Sequence, residues 1–121
     1  MKRDLELVRL ILQTLEGNQE ARTASTERYS TAERAYHVAL MKDAGLIEGI
    51  VNLDADGNPF GYHVSRMTWA GHDFLDAARD DTLWKKATEY VLKPGVSWSF
   101  DLLKEWLKHE ARQRLGLPTS E

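Results

Sequence analysis

Apolar residues first recur at helical spacing. Leu5, Val8, Leu12 and Leu15 form a stripe, widened by Leu7, Leu10 and Ile11. Asp4 stands where an N-cap belongs, and Gly17-Asn18 supplies the stop. Residues 18–29 are polar, rich in Thr, Ser and Arg, and carry no apolar period. The pattern there predicts a loop or extended segment, with a short strand near Arg22 to Ser25 joining a later hairpin as its third strand. Helical character returns at Ser30. Ser30-Thr31-Ala32-Glu33 has the form of a capping box, in which the Ser hydroxyl and the Glu carboxylate each accept from the other residue's backbone N–H. This helix is expected to run to Ala44 with Tyr36, Ala39, Leu40 and Met41 inward. Gly45 then serves as the left-handed residue after its end, and Leu46 as the apolar contact beside it.

The period then changes from 3.6 to two. Ile50, Val51 and Leu53 read as one strand. In a second strand Phe60, Tyr62, Val64 and Arg66 alternate with Gly61, His63 and Ser65. Asp54-Ala55-Asp56-Gly57-Asn58-Pro59 is turn chemistry between them. Thr68 caps a helix with Trp69, Phe74, Leu75 and Ala78 inward, ending near Arg79-Asp80. Asp80 or Asp81 caps another over Thr82 to Leu92, with Leu83, Trp84, Ala87, Tyr90 and Val91 as its apolar set. Lys93-Pro94-Gly95 breaks it. Ser97 or Ser99 opens a last helix carrying Phe100, Leu102, Leu103, Trp106, Leu107 and Leu115. Gly116 and Pro118 end it, and Thr119 to Glu121 fray. Helix, hairpin, helix in this order predicts an α+β winged helix over residues 1–79. A two-helix extension over 80–121 is expected to pack on that core.

Composition narrows the class. The chain has 121 residues, 42% hydrophobic and 29% charged, enough for one domain with a real core. No apolar run reaches the roughly 18 residues of a membrane span, and the N-terminus lacks a secretory pattern. With no Cys, disulfides and thiolate zinc sites are excluded, so a cytoplasmic location is the expectation. The net charge of −3 bears on partners. Residues 20–70 hold five bases (Arg22, Arg28, Arg34, Lys42, Arg66) and seven acids. A binder that depends on phosphate neutralisation is usually basic.

Candidate chemistry is sparse. His72 and Asp76 stand four apart on one helix, but two ligands do not make a metal site, so no metal is expected. Asp80 and Asp81 stand at a helix start, where capping explains them better than acid–base catalysis. No nucleophile triad, phosphate loop or glycine-rich fingerprint occurs, so the expectation is a non-enzyme without a cofactor. Arg28, Arg34, His37 and Lys42 lie on or just before the middle helix, and His63 and Arg66 on the wing. These six are the candidate contacts to double-stranded DNA, through phosphates or base edges. The acids of the wing tip, Asp54 and Asp56, would repel a phosphate backbone. All four Trp follow residue 68, which suits either a core or a face for self-association or a host or phage protein.

Three stretches carry a resemblance over nearly the whole chain. They are Met1-Lys2-Arg3-Asp4-Leu5-Glu6-Leu7-Val8-Arg9, Tyr36-His37 on to Ala44-Gly45-Leu46-Ile47, and Met67-Thr68-Trp69-Ala70-Gly71-His72-Asp73-Phe74-Leu75-Asp76 continuing to Trp84. Together they resemble domain of unknown function 2513, found in bacteria and their mobile elements. The resemblance implies a winged-helix-like fold and no assigned activity. The order Ala-Gly-Leu-Ile, wing, Thr-Trp-x-Gly is more loosely similar to PadR- and MarR-type regulators. Those keep a second helix where this chain has its polar stretch. The leading expectation is a small DNA-associated regulator or accessory protein of a bacterial or phage genome. The alternative is an acidic protein-interaction module or inhibitor that does not touch DNA.

Overall fold

A computed structural model describes residues 2–90, 100–114 and 116 of the chain. The elements run α1 (Leu5–Leu15), α2 (Gln19–Arg28), α3 (Thr31–Asp43), β1 (Ile47–Leu53), β2 (Pro59–Met67), α4 (Trp69–Ala78), α5 (Asp81–Tyr90) and α6 (Phe100–Arg114). This is an α+β architecture of winged-helix type followed by C-terminal helices. The chain divides into two compact units, 1–75 and 76–121, with the division inside α4. Val91, the Lys93-Pro94-Gly95 break, the caps Ser97 and Ser99, Trp98, Leu115 and the Pro118 to Glu121 end lie outside the described residues, as does the side chain of Tyr90.

The first correction concerns residues 18–29, which form helix α2 rather than a loop or strand. α1 ends in a left-handed Gly17 with φ of 93°. The Gly17 N–H bonds the Thr14 carbonyl at 2.9 Å, and the Asn18 N–H the Gln13 carbonyl at 3.1 Å. Asn18 then caps α2, its side chain accepting from the Ala21 N–H at 3.0 Å. The buried face of α2 consists of Ala21 and Ser25, one turn apart. Small side chains let α2 lie close against α1, so the face that holds the helix has no large apolar residue to announce it.

α3 opens with the expected capping box. The Glu33 N–H donates to Ser30 Oγ and the Ser30 N–H to Glu33 Oε1, each at 3.0 Å. Its buried residues are Ala35, His37, Val38 and Met41. Tyr36, Ala39 and Leu40, expected inward, are only half-buried. At its end Gly45 has φ of 76°. The Gly45 N–H donates to Lys42 and the Leu46 N–H to Met41, each at 3.0 Å, while Leu46 and Met41 pack as the buried apolar pair. The core of this unit centres on Leu7, Leu12, Met41, Leu46 and Leu75, all fully buried. Burial of each such side chain contributes roughly 1.5–3 kcal/mol.

β1 and β2 form a two-stranded antiparallel sheet with Ile47 opposite Met67 and Val51 opposite Tyr62. The pairing steps from Glu48–Arg66 to Gly49–Val64 and from Asn52–Gly61 to Leu53–Pro59. Ser65 and Phe60 are therefore extra residues at bulges, which bend the wing. Thr68 joins the sheet to α4. Its hydroxyl donates to the Gly45 carbonyl at 2.5 Å, and its oxygen accepts from the Gly71 N–H at 3.1 Å, capping the helix as expected. Gly71 is required by close approach. A Cβ there would lie 2.1 Å from the Leu46 carbonyl oxygen and 2.6 Å from Met67 Cγ. Trp69, expected inside, is 83% exposed at the first position of α4.

In the second unit Asp80 caps α5, accepting from the N–H groups of Thr82 and Leu83 at 2.9 and 3.0 Å. Its other oxygen meets Arg114, in the last turn of α6, at 2.5 Å. The start of α5 therefore lies against the end of α6. The Leu83 N–H chiefly, then Arg114 and the Thr82 N–H, hold the Asp80 carboxyl below its ordinary range. Leu83, Trp84 and Ala87 of α5 and Leu103 and Leu107 of α6 are buried, while Leu102 is 51% exposed.

Candidate nucleic-acid interface

α2, the Tyr29-Ser30 turn and α3 make a helix-turn-helix, with the hairpin as its wing. The turn is held by polar side chains. The Arg34 guanidinium donates to the carbonyls of Tyr29 at 2.7 Å and Ser25 at 3.4 Å, and to Thr31 Oγ1 at 3.2 Å. These carbonyls are those that the end of α2 leaves without helical partners, and a cation suits that end of the helix dipole. Arg34 is thus a clamp on the turn. Its guanidinium is engaged by the protein's own groups, and the residue is half-buried.

His37 is also corrected. It is 1% exposed and cannot touch DNA. The Asp4 N–H donates to its Nε2 at 2.8 Å, and its Nδ1 lies 2.7 Å from the Glu33 carbonyl. A backbone N–H can only donate and a carbonyl only accept, so these partners assign the proton to Nδ1. Asp4 is the other half of this knot. Its Oδ1 accepts from the Glu6 N–H as the cap of α1, and its Oδ2 accepts from the Tyr29 hydroxyl, both at 2.9 Å. Burial first, and then the Asp4 carboxylate, push the Tyr29 hydroxyl up to about 12. One residue before α1 thereby joins the end of α2 to the inner face of α3.

The remaining candidates reach the surface. Arg28 is exposed at the end of α2, its guanidinium 5.9 Å from the centre of the Tyr29 ring. Lys42 is exposed in the last turn of α3, and His63 is exposed on β2. Arg66 is exposed but paired. It donates to both Glu48 oxygens, Nε to Oε2 at 2.9 Å and Nη2 to Oε1 at 2.7 Å. Each lies across from the other on the paired strands, which lowers the Glu48 carboxyl and raises the Arg66 guanidinium from their ordinary values. Sequence reasoning passed over three further positions. Arg22 is exposed on α2, and Ala32 and Tyr36 mark the outward line of α3. The capping box could have located that line, because it fixes where the helix begins and hence its phase.

The wing is less suited to a phosphate backbone. Asp54 Oδ1 accepts from the N–H groups of Asp56 and Asn58, both at 2.9 Å, so the tip is a turn built around a carboxylate. Ile50, Leu53 and Phe60 are 64%, 58% and 56% exposed. His72 is exposed, and Asp76 pairs with Arg79 at 2.6 Å. Among the described residues no group of three or more His, Cys, Asp or Glu is placed to hold a metal, and no helix is long and apolar enough to cross a membrane.

Comparison with known proteins adds a family. The family of hypothetical proteins designated DUF2513 matches residues 2–97. An uncharacterized protein of Haemophilus influenzae is 32% identical over 109 residues, covering 87% of this chain and 91% of that protein. No solved structure matches.

Proposed function

This chain belongs to the DUF2513 family, and from that premise we propose that it is a small, non-enzymatic, DNA-associated regulator or accessory protein of a bacterial or phage genome. The observation that carries the reading is the complete helix-turn-helix. α2 is present, docked on α1, and tied to α3 by Arg34. In this reading the first two turns of α3 enter the major groove, presenting Thr31, Ala32 and Tyr36 to base edges. Arg28, Lys42 and Arg22 meet phosphates on either side. His63 lies by the backbone, and Arg66 joins it only by leaving Glu48, an exposed pair that is weak in water. Few cations are available, so affinity without sequence preference is low and groove fit matters more. Two copies join through the C-terminal helices, where exposed Leu102 offers apolar surface. The protein works in the cytoplasm.

Arg28→Glu with Lys42→Glu tests this reading without touching the turn clamp. The double variant should keep the wild-type melting temperature and lose retention of duplex DNA in a gel shift. Retention equal to wild type would refute the assignment of these helices to DNA.

A second reading, an interaction module or inhibitor without DNA, is favoured by one observation. The wing exposes Ile50, Leu53 and Phe60 beside an acidic tip, a surface better matched to protein than to phosphate.

A further inference from the structure

We infer that the free edge of β2, together with the ends of α1 and α2, forms a binding cleft for an extended peptide, which adds to the wing as a third strand. The cleft has a volume of 230 Å³. Ile11, Thr14 and Leu15 from the last turns of α1 line one side, Ser25 of α2 lies between, and Tyr62, His63 and Val64 of β2 line the other. Three consecutive residues of β2 and none of β1 face it, so it runs along the β2 edge that β1 leaves uncovered.

In an antiparallel pair, alternate residues turn their N–H and C=O away from the partner strand. Along β2, among the described residues, backbone bonds within the sheet go to β1 alone. A row of such groups at strand spacing is satisfied by another extended backbone, which is the chemistry of strand addition. The surroundings choose the kind of partner. The edge faces the last turns of α1 across this cleft, so the partner is a single extended segment with side chains that meet both walls. Ile11, Leu15 and Val64 offer an apolar floor for side chains at alternate positions of the peptide.

Ser25 adds a polar side chain to the lining. It is 6% exposed, and the Arg34 contact goes to its carbonyl, not to its hydroxyl. The Thr14 hydroxyl is engaged with the Leu10 carbonyl at 2.8 Å. A peptide N–H or C=O beside Ser25 can bond its hydroxyl, and the exposed His63 imidazole offers a second polar contact at the rim. No residue of α3 lines this cleft, which shares only His63 with the proposed DNA interface, so the inference does not rest on α3 meeting DNA.

The test uses the full chain and a displayed library of random peptides about 10 residues long, enough for one strand. The expected result is enrichment of peptides with apolar residues at alternate positions. Leu15→Glu and, as a second rim variant, His63→Glu should each weaken the synthesised peptide by about tenfold, and Ser25→Ala by about threefold. N-methylation at alternate peptide nitrogens should weaken it by at least about tenfold, because strand pairing needs those N–H groups. Peptides that bind the folded rim variants as well as wild type would overturn the site, as would failure to enrich any peptide. Equal binding of the N-methylated peptide would overturn strand addition.

Discussion

The helix-turn and the wing treat similar side chains in opposite ways. At the turn, Asp4, Tyr29, Arg34 and His37 point into the protein and partner one another or orphan backbone groups. On the wing, Glu48 and Arg66 pair in open solvent, and Ile50, Leu53 and Phe60 face water. A charged or imidazole side chain on the helix after a tight turn is therefore not, by that position alone, a ligand contact. What it does is decided by whether a buried backbone group lies within its reach. At the turn such groups are close, and leaving them unpaired would be costly. Along the wing the surface groups are free to exchange partners.

Mutation can break this contrast, and the largest effect should come at the buried end. His37→Ala removes a buried ring and leaves the Asp4 N–H unpaired. Urea denaturation should show a loss of about 3 kcal/mol. An unchanged midpoint would mean that the knot does not hold α1 to α3.

Tyr29→Phe should have a smaller effect, about 0.5–1 kcal/mol at neutral pH for one partly solvated hydrogen bond. It also has a pH signature. The Tyr29 hydroxyl is pushed up to about 12, so the fold favours its protonated form. Its contribution is complete below the ordinary value near 10 and is lost as pH rises from about 10 to about 12. Thermal melts across that window should show Tyr29→Phe lacking the part of the decline that this hydroxyl supplies. Identical slopes in both proteins would contradict the contact with Asp4.

The smallest effect belongs to the wing. Arg66→Ala removes a bidentate pair that is exposed on both sides, so the unfolding midpoint should stay within error of wild type. A clear destabilisation would place the wing pair in the same class as the turn.

What could be read from sequence was local. The capping box, the Gly45-Leu46 stop and the Thr68 cap each depend on residues a few positions apart, and the hairpin on two adjacent strands joined by a short turn. The second helix escaped notice because its buried face is Ala21 and Ser25, and a face of small residues leaves no apolar period. The internal partners of His37 and Arg34 were hidden for a related reason. The partner of His37 is Asp4, 33 residues away, and that of Arg34 is the end of a helix that was not expected. Trp69 went wrong because size and aromaticity suggest burial, whereas its position at the start of α4 leaves it exposed. Arg28, Lys42 and His63 do reach the surface, as the candidate interface requires.

In the proposed function the helix-turn-helix meets DNA with few phosphate contacts. The most direct test is the affinity of the full chain for a labelled random-sequence duplex, measured from low to moderate salt. Three cations, Arg22, Arg28 and Lys42, predict weak binding with a slope of log K against log salt near about −3. No binding at the lowest salt, or binding indifferent to salt, would contradict the claim and leave the protein-interaction reading in its place.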